Sequence, residues 1–154
     1  MIHNKRGFTL AELLAVVLII AVLAAIALPQ YRRSIRRAQA VEGLTHLRAV
    51  MDSALRYKAE YETAPTKFGD LDVAFQNVSG GVIDNFKFTF NGSTSITACY
   101  APNGSCTGYT FTGYYDNSAY GGKGALTCEY SDDKYQTVCD AVGTIQSGKL
   151  YVIK

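Results

Sequence analysis

A run of apolar residues at positions 8–28 constrains this chain more than any other feature. At a rise of about 1.5 Å per residue, a helix of this length measures about 30 Å, the thickness of the hydrocarbon core of a bilayer. Lys5 and Arg6 precede the run. This positive start predicts that the N-terminus stays in the cytoplasm while the residues after the run lie outside.

Four arginines just after the run oppose this orientation by simple counting: Arg32, Arg33, Arg36 and Arg37. The cysteines decide for it, because all of them follow the run: Cys99, Cys106, Cys128 and Cys139. An even number of cysteines in the exported part predicts disulfides in an oxidising compartment. Of the three pairings that four cysteines allow, Cys99–Cys106 and Cys128–Cys139 close the shortest loops and are favoured. Zinc at these cysteines is disfavoured, because no short C-x-x-C is present and only His46 follows the run.

Glu12 lies inside the apolar run, where a charge is costly. A buried acid costs about 2.5–3.5 kcal/mol on insertion scales, so such a group usually has a partner. No Lys, Arg or His lies one helical turn away, which points to another copy of the chain. Cleavage after Gly7 would supply the counter-charge, because Phe8 would then carry a free α-ammonium. That amine can meet Glu12 of a parallel helix staggered by about one turn.

Two simpler interpretations of the apolar run are weaker. A secretory signal peptide could be cut at the A-x-A site of residues 25–27 and release an exported binding or enzymatic head. However, the uninterrupted run at residues 13–28 is long for such a segment, and Pro29 lies close behind the cut. A plain single-pass anchor accounts for the length but leaves Glu12 unexplained.

The segment KRGFTLAELLAVVLIIAVLAAIALPQY, residues 5–31, resembles the N-terminus of type IV pilins and of the related type II secretion pseudopilins. The resemblance implies that a prepilin peptidase cuts after Gly7 and methylates the new N-terminal Phe8. It also implies that Glu12, fifth after the cut, is the assembly acid, and that Pro29 bends the helix. Ala11 departs from the family, which usually has a bulkier aliphatic residue there.

The rest of the sequence predicts a helix followed by an antiparallel sheet. Apolar residues at 3–4 spacing mark one helical face: Ala38, Val41, Leu44, Leu47, Met51, Ala54 and Leu55. Residues 63–83 are rich in turn formers and predict a connecting loop. Phe86, Phe88 and Phe90 alternate with polar residues, Asn91-Gly92 favours a tight turn, and residues 96–100, 109–115, 126–130 and 150–153 are further strand candidates. A sheet packed on the amphipathic helix is an α+β fold.

The predicted organisation has four parts, which fill the 154 residues with one ordinary domain and its helix. Residues 1–7 form a leader peptide removed on maturation, and residues 8–28 form a transmembrane or filament-core helix. Residues 29–61 continue that helix in amphipathic form. Residues 62–154 form the sheet head with disulfide-closed loops.

The predicted function is structural. The resemblance implies a type IV pilus subunit, with a pseudopilin of a type II secretion system as the alternative. Its partners would be further copies in a helical filament, the prepilin peptidase, the inner-membrane assembly machinery and, before assembly, the bilayer. The chain would move from the inner membrane, with its head outside, to an extracellular pilus.

Other functions have little support in the sequence. The sequence has no phosphate loop or nucleophile elbow, so no enzyme activity and no cofactor are expected. The acids near one loop could suit calcium but lack EF-hand spacing, so no metal is assigned to them: Glu129, Asp132, Asp133 and Asp140. Nothing in the sequence supports binding of nucleic acid.

Overall fold

The computed structural model describes residues 7–75, 78 and 80–153. The chain divides into two compact units, Met1–Ile35 and Arg36–Lys154. The first helix, α1 (Leu10–Tyr61), contributes residues to both units and is helical on both sides of Pro29. The predicted leader at residues 1–7 lies outside the described residues except for Gly7, and the predicted bend at Pro29 stays a prediction.

In the first unit, α1 is apolar on every side over residues 13–28. Its large side chains between positions 8 and 28 are each 48–78% exposed. Among the described residues, α1 is the one helix long and apolar enough to cross a membrane, and none of its apolar window is buried in the chain. A helix that is hydrophobic all round is typical of a membrane span or of the core of a larger assembly.

In the second unit, one face of α1 is buried in the hydrophobic core. The prediction is correct for Leu44, Leu47, Met51 and Ala54, but it is wrong for Ala38 and Val41, which are exposed. The buried face also includes four residues that the predicted apolar pattern left out: Ala40, Gly43, Val50 and Ser53. Small side chains contribute little to an apolar pattern, yet they let the sheet approach the helix closely.

The head is a sheet of seven strands in the order β1-β2-β3-β4-β5-β7-β6, with every neighbouring pair antiparallel. The strands are β1 (Val82–Ile83), β2 (Phe86–Asn91), β3 (Ser95–Tyr100), β4 (Tyr109–Tyr114), β5 (Leu126–Tyr130), β6 (Thr144–Ser147) and β7 (Leu150–Ile153). A short helix, α2 (Gln136–Val142), lies between β5 and β6. The predicted α+β fold class is confirmed.

The β2–β3 hairpin shows how the sequence pattern becomes structure. Phe86 and Phe88 are buried while Lys87 and Thr89 are exposed, as the alternation predicts. The turn differs from the predicted two-residue type: Asn91 pairs with Ser95 and stays in β2, so residues 92–94 form the loop. Gly92 has a φ of 59°, which glycine adopts without the penalty of a Cβ.

Two strands and one α-helix were not predicted from the sequence. Strand β1 lies at the end of the segment that was expected to be a loop, which also contains a turn of 3-10 helix at Phe68–Asp70. Helix α2 is only seven residues long. Strand β6 is exposed along its whole length and has a bulge between Ile145 and Ser147, so it lacks the alternation that marks a half-buried strand.

Gly43 of α1 and Phe86 of β2 mark a close approach between the helix and the sheet. The Phe86 ring lies where a Cβ on Gly43 would be. The ring is 1% exposed and also packs near Phe111, at 6.3 Å between ring centroids, and near Tyr109, at 6.0 Å. The absence of a side chain at position 43 therefore sets how near β2 comes to the helix.

We expect Gly43→Ala to lower the free energy of unfolding by about 1–3 kcal/mol, because the added methyl overlaps the Phe86 ring. Denaturant unfolding of the full chain in detergent micelles measures this. Gly69→Ala is the matched control, since its nearest atom would be the flexible end of Lys67 at 3.9 Å. A Gly43→Ala chain as stable as the parent would contradict the close approach, whereas partial rescue by Phe86→Leu would support it.

Candidate functional site

The three described residues that precede α1 are exposed. Gly7, Phe8 and Thr9 have no regular secondary structure and are exposed, Phe8 by 78%. A Cβ added to Gly7 would meet no atom of the described residues within 4 Å. The peptide bond between Gly7 and Phe8 is thus accessible just before the apolar helix begins.

Thr9 and Glu12 form a capping box at the start of α1. The backbone N–H and the hydroxyl of Thr9 each donate to Oε2 of Glu12 at 2.8 Å. In return, the backbone N–H of Glu12 donates to Oγ1 of Thr9 at 3.3 Å. This reciprocal pattern satisfies backbone donors that a helix N-terminus leaves unpaired.

The capping box gives Glu12 a local partner, Thr9, which a search for opposite charges in the sequence did not find. The signal was present as T-x-x-E, residues 9–12, at the head of an apolar run. The hydrogen bonds do not neutralise the carboxylate, however, and they occupy only Oε2. A carboxylate oxygen accepts more than one hydrogen bond, so Oε1 can accept from a second group.

Two disulfides hold the head: Cys99–Cys106 and Cys128–Cys139. Cys128 lies on β5 and Cys139 on α2, and both are fully buried. This bond therefore fixes α2 against the sheet. Cys99 lies on β3, whereas Cys106 lies in an exposed loop.

Two of the acidic residues near the β5–α2 loop are paired with lysines in the structure. Asp132 contacts Lys134 at 2.7 Å, and Asp133 contacts Lys149 at 2.9 Å. The hydrogen bond from Lys134 lowers the pKa of Asp132. Two of the four acids near this loop thus already have cationic partners.

One of the arginines that follow the apolar run contacts the head. The guanidinium of Arg36 donates to the carbonyl oxygen of Lys134 at 3.2 Å and lies 5.5 Å from the centre of the Tyr135 ring. A cation over an aromatic face is attracted by the ring quadrupole. Arg36 therefore has a partner in the head, which a count of loop charges does not register.

These features define a class of protein: a helix apolar enough to cross a membrane, entered from an exposed Gly-Phe bond and followed by a disulfide-bonded α+β head. Comparison with known proteins narrows the class. Residues 2–28 match the family model of the prokaryotic N-terminal methylation motif.

The curated relatives carry fimbrial names. The type IV major fimbrial protein FimA of Dichelobacter nodosus is 28% identical over 67% of this chain and 75% of its own length. A fimbrial protein of Pseudomonas aeruginosa is 41% identical over 46% of this chain and 49% of its own length. A fimbrial protein of Moraxella nonliquefaciens is 56% identical over 28% of each chain. The chain thus spans about half or less of the length of the last two relatives, and the matches confirm the resemblance to type IV fimbrial proteins that the sequence predicted.

We expect removal of the Cys128–Cys139 bond by paired alanine substitutions to lower the free energy of unfolding by about 3 kcal/mol, from the entropy of the loop that it closes. Denaturant unfolding of the full chain measures it. Removal of Cys99–Cys106 is the matched comparison and should cost less, because that loop is shorter and one end is exposed. An equal or larger loss for Cys99–Cys106 would contradict the role of the buried bond.

Proposed function

We propose that this chain is the structural subunit of a type IV pilus, cut after Gly7 by a prepilin peptidase and assembled into a helical filament through α1. The observation that carries the proposal is the apolar window of α1 in the first unit, none of which is covered within the chain. The methylation motif at residues 2–28 and the fimbrial relatives support it. The fimbrial names do not favour the alternative of a secretion pseudopilin.

The apolar helix explains why the subunit would have two stable locations. Before assembly, lipid covers the large side chains of residues 8–28. Outside the membrane, each would contribute about 1.5–3 kcal/mol when buried against neighbouring helices rather than exposed to water. Extraction from the bilayer is therefore tolerable only if other copies replace the lipid, which favours a filament with α1 at its centre.

Glu12 would specify how the helices align in that filament. Cleavage turns the amide nitrogen of Phe8 into an ammonium, and Oε1 of Glu12 is the oxygen that Thr9 leaves open. A pairing between copies would bring an unmatched charge in one helix together with an unmatched charge in the next. Because buried ion pairs add little net stability over apolar packing, the pair would set register more than strength.

The proposed path runs from the inner membrane to the cell exterior. The uncleaved chain would sit in the inner membrane with residues 36–154 on the outer side, where the two disulfides can form. The assembly machinery and the peptidase, which also methylates Phe8, would act on the chain while it is in the inner membrane. The mature filament would be extracellular.

Three substitutions separate the capping role of Glu12 from the pairing role. Glu12→Gln keeps an oxygen that can cap Thr9 but removes the charge, Glu12→Ala removes both, and Thr9→Ala removes the capping hydroxyl but keeps the charge. Breaking a buried ion pair costs about 3–5 kcal/mol, so both Glu12 variants should yield fewer filaments by more than about tenfold. Thr9→Ala should assemble nearly normally.

Electron microscopy of sheared filaments, with immunoblots of the membrane fraction, measures the effect of these variants. All three chains should be inserted and processed. Normal filaments from Glu12→Gln would refute the pairing, and an equal loss from Thr9→Ala would assign the effect to the helix cap.

For processing, we expect Gly7→Leu to abolish cleavage, because the peptidase must approach the backbone at this position. The substitution should leave the fold intact, since position 7 has space for a side chain. The intact mass of the chain isolated from membranes reports the outcome. Ala11→Leu, on the other side of the cut, is the control and should be processed at Phe8. A Gly7→Leu chain of normal mature mass would contradict the proposed site, and a mature chain that begins at Leu28 would indicate a signal peptide instead.

A further inference from the structure

A cluster of three potential metal ligands lies where α1 meets the β1–β2 turn. Glu42 and His46 are one helical turn apart on α1, so they share a face. Asp84 comes from the turn, and its Oδ2 lies 3.2 Å from Nε2 of His46. One ligand atom from each of the three residues lies within 4.8 Å of the other two, and no other such group occurs within residues 7–75, 78 and 80–153.

The fold holds these three residues in place through neighbouring contacts. Ile83 pairs with Phe86, so Asp84 and Asn85 form a two-residue turn. Phe86 is seated on Gly43, next to Glu42, which brings this turn against α1. Asp84 has a φ of 52°, a left-handed conformation that aspartate tolerates better than most residues. The cluster thus rests on a helix and a tight turn that are packed together.

The charges of the cluster favour a cation. Two carboxylates converge on one imidazole, and like charges at such distances disfavour each other. Within the described part of the chain, the cluster contains one ion pair, between His46 and Asp84. A simple His–Asp ion pair would account for that contact but would leave Glu42 uncompensated. A divalent ion would compensate both carboxylates at once.

The donor set indicates which ion. Imidazole nitrogen suits zinc and similar transition metals, whereas calcium and magnesium prefer oxygen alone. Zinc bonds to such ligands are about 2.0–2.2 Å long, so tetrahedral ligand atoms lie about 3.4 Å apart. His46 and Asp84 are already near this spacing, and Glu42 and Asp84 are exposed side chains that can move inward. The ring of His46 also meets Phe75 edge-on at 5.8 Å, which restrains its orientation.

We propose that Glu42, His46 and Asp84 bind a divalent transition-metal ion of the zinc type. The three residues supply three ligands, and water takes a fourth position on this partly exposed face. The site would link α1 to the β1–β2 turn. It stands independently of the proposed function, because all three ligands belong to the unit Arg36–Lys154.

The test is isothermal titration calorimetry, with Zn²⁺ titrated into the full-length chain in detergent micelles. The chain is first stripped of metal with a chelator. We expect one ion per chain. His46→Gln, Asp84→Asn and Glu42→Gln should each weaken binding by at least about tenfold, since even the loss of a group that only hydrogen-bonds a metal ligand costs about 10–100-fold. Circular dichroism of each variant verifies that the chain is folded.

Two matched controls and a second readout make the result decisive. His3→Gln changes the only other histidine, and Asp52→Asn changes an exposed acid on the same helix, so neither should alter binding. Co²⁺ should give visible absorption bands that His46→Gln abolishes, and equimolar Ca²⁺ should not displace Zn²⁺. The proposal is overturned if the intact chain binds no Zn²⁺, if the ligand variants bind it as well as the parent, or if Ca²⁺ displaces it.

Discussion

The packing of α1 against the sheet is the interaction on which the rest of the head depends. The Phe86 ring lies over Gly43, and the core then extends through the aromatic residues of β4. The same helix carries two kinds of surface along its length. In the second unit one face is covered by the sheet of the same chain, whereas in the first unit no part of the apolar window is covered. Because the chain supplies no cover there, that surface needs lipid or other copies.

The hydrogen bonds of Glu12 change how an acid in an apolar run is understood. From charge alone it has no partner within reach, which suggests an incomplete site. The capping box shows that Oε2 of Glu12 already caps the N-terminus of α1, while Oε1 accepts no hydrogen bond from Thr9. In the proposed function, Glu12 would cap the helix before assembly and pair with a second copy during assembly. Because the capping box already forms the helix start in the single chain, the proposed assembly would not have to build it.

The parts of the structure that follow from strong local patterns were predictable, and those that depend on long-range contacts were not. The apolar run and the alternation at Phe86–Phe90 fix a helix and a strand through periodicity. The sequence placed the buried face of α1 slightly wrongly. Ala40 and Gly43 are buried because their small size lets the sheet come close, and a pattern of large apolar residues does not reveal this. Helix α2 and strand β6 are too short or too exposed to give a pattern. The contact between His46 and Asp84 joins residues 38 positions apart, brought together only by the docking of the β1–β2 turn.

The two edge strands of the sheet would matter for copies of this chain that are crowded in a membrane, as the proposed function implies. An open strand presents unpaired backbone groups and invites another chain to extend the sheet. Here one edge strand, β1, is two residues long, and the other edge strand, β6, is interrupted by its bulge. Both therefore make poor templates for uncontrolled aggregation. In the proposed filament, crowded copies would thus be discouraged from pairing sheet edge to sheet edge, and assembly through α1 would be the more favourable route.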